Sequence, residues 1–111
     1  MSWKINYSNQ ALDDLKSIYE YIAYQLFAPD TAKNQVGRIT KSIKALGNMP
    51  KMYKIYQVEP WKSKKLRIFS VDNYIVLYLP KEDFNTVNVV RIIYGGRDIE
   101  RQLDETPPIL P

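Results

Sequence analysis

The order of elements predicts an α+β domain: an N-terminal strand, an antiparallel helical hairpin, and a curled, mostly antiparallel four-stranded sheet with the hairpin on one face. Three observations predict it. Trp3, Ile5 and Tyr7 alternate with Lys4 and Asn6, the period-2 signature of a short strand. Two stretches with helical spacing follow, separated by a connection too short for anything but an antiparallel hairpin. Then Leu66 to Leu103 holds three apolar β-type runs in close succession. With 111 residues, 45% of them hydrophobic, the chain is long enough for one core and too short for two. Residues 1–103 are expected to form the single domain, and residues 104–111 a mobile Pro-rich tail.

Ser8 or Asn9 is placed to cap the first helix, whose apolar stripe runs through Leu12, Leu15, Ile18, Tyr19, Ile22 and Leu26. Pro29 ends that helix or lies just past it, and Asp30 or Thr31 is positioned to cap the second. Within the second helix Ala32, Val36, Ile39, Ile43 and Leu46 repeat at the seam spacing of two packed helices, with Lys33, Lys41 and Lys44 off the seam. Gly47, Asn48 and Pro50 supply the stop. Lys51 to Lys64 shows no period and reads as a loop. Lys65 to Val71 and Tyr74 to Pro80 read as strands joined at Asp72-Asn73, where Asn accepts a positive φ. Thr86 to Tyr94 is the most apolar strand and is expected to be central; Gly95-Gly96 breaks it, and Arg97 to Leu103 reads as a short helix or turn. The first strand joins an edge or pairs in parallel with a later one.

The composition removes several kinds of chemistry. With no cysteine and no histidine, thiol nucleophiles, disulfides, the usual zinc sites and imidazole proton transfer are all excluded. No cofactor is expected. The N-terminus shows no secretory signal pattern and no apolar run approaches the length of a membrane span, so a soluble, cytoplasmic protein with no membrane partner is expected. The net charge of +4 hides an uneven distribution: Thr31 to Arg67 holds ten cations against Glu59 alone, a local +9, while the remainder carries six cations and eleven anions. Such a field suits a polyanion or an acidic protein partner, or else simply a solvated face.

Arg91, flanked by Val90 and Ile92, either lines a functional surface or forms a structural pair with Glu82 or Asp98. Arg97 follows two glycines at a strand exit, a position that carries sites more often than a strand interior does; its alternative is a local pair with Asp98 or Glu100. Tyr94 stacks on a base or donates a proton, or else simply caps the core. Tyr53, Tyr56 and Trp61 lie among lysines and suggest a contact surface for RNA or protein.

AxxDLxxIxxYI at Ala11 to Ile22, Pro-Asp-Thr-Ala at the second helix, L-x-x-x-P at Leu46 to Pro50, LRIF-x-VDNYIVLY and VVRIIYGGRDI occur in this order over Trp3 to Leu103. In these segments the chain resembles the RelE/ParE superfamily of bacterial type II toxin-antitoxin toxins, and LRIFSVDNYIVLY and RIIYGGRDI look most like the ParE branch. The resemblance implies a growth-inhibiting toxin that binds DNA gyrase and is neutralised by a cognate antitoxin, whose disordered segment folds across it. The alternative it implies is a RelE-like, metal-independent endonuclease that cuts mRNA on the ribosome. For that alternative Arg97, Arg67, Lys65 and Tyr94 are the candidate catalytic residues; Lys62, Lys64, Trp61 and Arg91 are candidates for binding target or antitoxin. The RelE pattern carries an arginine after the position matched by Tyr74, and here Ile75 stands there. Losing a charge-assisted contact from a phosphate clamp favours the binding reading.

Overall fold

The computed structural model describes residues 2–106. Strand β1 (Lys4–Tyr7) is followed by α1 (Asn9–Glu20), a π-helical turn (Tyr21–Gln25) and α2 (Pro29–Lys44), then by β2 (Arg67–Val71), β3 (Tyr74–Lys81), β4 (Thr86–Tyr94) and α3 (Ile99–Asp104). The sheet order is β1-β4-β3-β2, with β1 parallel to β4 and the other pairs antiparallel. This is the expected α+β arrangement, and β4 is interior to the sheet, paired along one edge with β1 and along the other with β3, with apolar residues buried on both its faces. The final residues of the expected tail, Pro107 to Pro111, lie outside the described residues, whereas Asp104 belongs to α3.

Ser8 makes the first joint. Its Oγ accepts from the Ala11 amide at 3.0 Å, capping α1, and donates to the Val90 carbonyl at 2.8 Å. One side chain thus satisfies a free helical N–H and anchors α1 to β4. The first helix differs from its expected stripe. Ala11, Ile18 and Ile22 are buried with Ala23, whereas Leu12 and Leu26 are exposed. The cause at the far end is the π turn, whose wider winding shifts the register after Glu20 and swings Leu26 outward.

The second helix begins two residues earlier than an Asp30 cap allows and three earlier than a Thr31 cap, at Pro29 with Ala28 before it and no side-chain cap. Proline at the first helical position lacks one of the N–H groups that a helix start leaves unpaired, and its fixed φ already suits that position, so it starts this helix. Buried Gln35 sits inward beside Ala32, Ile39 and Ile43, and Val36 is only half-buried. Gln35 is tolerated because its Nε2 donates to Asp72 at 3.0 Å. In the β2–β3 turn Asp72 (φ 54°), and not Asn73, takes the positive φ.

Asp72 also accepts from Arg38 Nε at 2.8 Å. These bonds, Arg38 first and Gln35 second, hold its carboxyl below the usual carboxylate range. A lowered folded-state value stabilises the fold above the ordinary aspartate range, and that contribution is lost as pH falls through the folded value. Acid titration of Asp72→Asn is therefore expected to show a shallower loss of stability below about pH 4 than the parent chain, read by thermal melts.

Both faces of the sheet are covered. The helices close over Val76, Tyr78, Val87, Val89 and Ile92, with Phe69 edge-on to Tyr78 at 5.8 Å and Tyr53 stacked on Phe69 at 4.2 Å. Burial pushes the Tyr78 phenol up to about 12. On the other face Trp61, Leu66, Leu77, Leu79, Val90, Ile93 and Leu103 form a second cluster, lidded by α3 and by the segment after Pro50. That segment is not an open loop: Tyr56 donates to the Leu66 carbonyl, Ile68 donates to the Lys54 carbonyl, and Ile55 pairs with Arg67, which seals the outer edge of β2.

Candidate functional site

A groove of about 810 Å³ opens between the helical hairpin and the end of the sheet. Ile18, Tyr21 and Leu26 form one wall, Tyr74 and Tyr94 the other, and Arg97 and Gln102 stand at one end. Its floor contains the most connected polar cluster among the described residues. Arg91 donates to Asp14 through Nε at 2.8 Å and Nη2 at 2.9 Å, and the same carboxylate accepts the Ile92 backbone N–H at 2.8 Å. Here β1 has already ended, so this amide on β4 has no strand to pair with, and Asp14 takes that place. Arg91 Nη1 further donates to the Gln102 carbonyl at 3.2 Å and to Thr106 Oγ1 at 3.1 Å. Side-chain exposures of 12% for Arg91 and 13% for Asp14 mean that this pair is a clip joining α1, β4 and α3 rather than a free cation. Its partner is neither Glu82 nor Asp98, because a helix one layer away reaches it first.

Tyr94 and Tyr74 meet edge-to-face with centroids 5.8 Å apart. Burial first, then the neighbouring Tyr94 and Tyr21, pushes the Tyr74 phenol above its ordinary value, so at neutral pH the hydroxyl is protonated. The glycine pair has a steric reason. A Cβ at Gly95 would lie 3.1 Å from the Asn73 carbonyl oxygen, and one at Gly96 would lie 2.7 Å from the Tyr94 ring. Gly96 therefore lets the ring fold back across the backbone, while Arg97 emerges exposed with its amide donating to the Tyr94 carbonyl at 3.0 Å. Among the described residues Arg97 takes part in no ion pair, including with Asp98 or Glu100.

Outside the groove mouth lies an apolar patch that continues its wall. Tyr21, Tyr24, Leu26 and Phe27 are all exposed, Phe27 at 87%. Phe27 also has φ 53°, a left-handed backbone that a bulky residue adopts only under strain. Exposed aromatics concentrated on a π turn mark a contact surface. Sequence periodicity passes over Tyr21, Tyr24 and Phe27 because they fall off the buried stripe, whereas Leu26 lies on the expected stripe and is carried outward after the π turn; the sequence signal is the excess of Tyr and Phe just before Pro29.

The remaining candidates lie elsewhere. Arg67 Nη1 donates to the carbonyls of Tyr53 (2.7 Å) and Lys51 (3.3 Å), holding the segment after Pro50 against β2. Trp61 is 7% exposed within the second cluster, with Lys64 Nζ 5.0 Å from its ring centroid. Lys62 and Lys65 are exposed on the same turn, Lys65 at φ 63°. So the structure brings Arg91, Tyr94 and Arg97 to one groove and leaves Arg67, Lys62, Lys64, Lys65 and Trp61 around the β2 edge. No cluster of metal-ligating side chains occurs among the described residues, and no helix there is long and apolar enough to cross a membrane.

A helical hairpin closing one face of a four-stranded sheet with a parallel first strand is the fold of the RelE/ParE toxins. The structure is similar to that of the chromosomal ParDE toxin-antitoxin system from P. aeruginosa (TM-score 0.68, 18% identity, covering 84% of this chain and 96% of that one). It is also similar to a RelBE complex from Mycobacterium tuberculosis (0.62, 14%, 85% and 92%) and to the isolated E. coli RelE toxin (0.58, 12%, 93% and 95%). Comparison with curated sequences returns no match. The family profile described as the ParE toxin of the type II toxin-antitoxin system parDE matches residues 5–99. The chain belongs to the ParE toxin family of type II toxin-antitoxin systems.

Proposed function

We propose that this toxin arrests growth by binding DNA gyrase through the groove and its aromatic patch, and that a cognate antitoxin neutralises it by covering the same surface. One observation carries the preference for binding over RNA cleavage: the cations do not converge. Arg67 pairs in register with Tyr78 and Tyr94 with Tyr74, which separates them by roughly 13 Å along the sheet. Phosphoryl chemistry without a metal needs cations aimed at one phosphate, and here Arg67 is committed to carbonyls while Arg91 is committed to Asp14. Ile75 packs against the second apolar cluster. An apolar wall of tyrosines with one free arginine is instead the composition of a protein-contact hot spot.

Purified toxin is expected to inhibit supercoiling by gyrase. Arg97→Ala should weaken that inhibition at least tenfold with a melting temperature within about 2 °C of the parent, since the side chain is exposed and takes part in no ion pair among the described residues. Gly96→Ala, which displaces the Tyr94 ring, is expected to act in the same direction. Supercoiling left untouched by excess toxin would sink the proposal. Codon-aligned cuts in translated mRNA that vanish with Arg97→Ala would establish the cleavage alternative instead.

A further inference from the structure

The outward face of α2 takes no part in the groove or in the core. Lys33, Gly37, Thr40, Lys41 and Lys44 recur at helical spacing along it, and the three lysines are exposed and outside every ion pair among the described residues. Asp30 stands on the same face in the first turn. Lys44 lies eleven positions after Lys33, so the three lysines, sharing one face, span roughly 16 Å along the helix. At its centre is Gly37, in the middle of a 16-residue helix. Glycine is unfavourable there, and packing does not require it, because a Cβ at Gly37 would meet nothing within 4 Å. What a bare backbone permits at that spot is the close approach of something outside the chain.

We propose that this face seats the phosphate backbone of duplex DNA, with Gly37 at the point of closest approach and Lys33, Lys41 and Lys44 reaching phosphates on either side of it. The chemistry of the face selects that occupant. None of the large exposed apolar residues lies on α2. A protein partner would be anchored by apolar or aromatic side chains, and single-stranded nucleic acid by stacking platforms. A duplex backbone needs cations and clearance alone. The contact is sequence-independent and lies apart from the groove, so it stands whether or not the toxin inhibits gyrase.

The test measures binding of the full chain to a fluorescent duplex of about 30 base pairs by anisotropy over a salt series. Replacing Lys33, Lys41 and Lys44 together by Gln is expected to flatten the log–log salt dependence by about 0.9 per lost phosphate contact. The matched control, Lys62, Lys64 and Lys65 to Gln, removes the same charge and should flatten it by less than half as much. Equal effects of the two sets would show a diffuse field and overturn the proposal, as would an unchanged slope in the α2 set. Gly37→Gln should weaken duplex binding severalfold while raising the melting temperature; unchanged affinity overturns the close approach. A single strand of equal length that binds as tightly as the duplex overturns the choice of occupant.

Discussion

Asp14→Ala is expected to destabilise the protein by about 3–5 kcal/mol. The substitution leaves Arg91 with an uncompensated charge at 12% exposure and removes the acceptor of the Ile92 amide. It also loosens α3, because Arg91 holds the Gln102 carbonyl and Thr106 only while Asp14 orients its guanidinium. For a chain of this size the melting temperature falls by roughly 15 °C or more, measurable by circular dichroism. Pairing Asp14→Leu with Arg91→Met should recover most of the loss, because removing both charges also removes the cost of desolvating them. A double variant no more stable than Asp14→Ala would show that the clip acts by orienting α3 and not through buried charge.

Phe27→Gly is expected to move stability and function in opposite directions. The left-handed backbone of Phe27 costs about 1–2 kcal/mol, which glycine relieves. Glycine forfeits about 0.5–1 kcal/mol through the freer unfolded chain. At 87% exposure little burial is lost, so the balance favours the variant by roughly 0.5–1 kcal/mol. If the aromatic patch is the surface that partners grip, the same variant weakens the antitoxin complex by about 2 kcal/mol, near thirtyfold in Kd. Urea melts and titration calorimetry read the two quantities separately. A variant that is less stable, or that binds antitoxin like the parent, contradicts the reading of Phe27 as strain held for contact.

The legible part of this protein follows from short-range rules. Alternation in Trp3 to Tyr7, the seam of Ala32, Ile39 and Ile43, and the apolar run of β4 all reflect periodicities set by backbone geometry, which a sequence carries openly. Capping at Ser8 belongs with them, since the hydroxyl and the amide it satisfies are three residues apart. The second helix cap was misplaced for an equally local reason: Pro29 starts a helix as readily as it ends one.

The site was legible only as residue types. Arg97 could be singled out because its surroundings, two glycines at a strand exit, are sequence neighbours. Arg91 could not be resolved, since its partner Asp14 lies 77 residues away and is one of twelve acidic side chains. Trp61 among lysines looks like a contact residue until the chain folds back over β2 and makes it part of a second core. Sequence alone determined the elements, their order and the uneven charge. Only the tertiary structure decided which cations are spent on the fold and which remain free, because ion pairing depends on distances between segments that local periodicity does not encode.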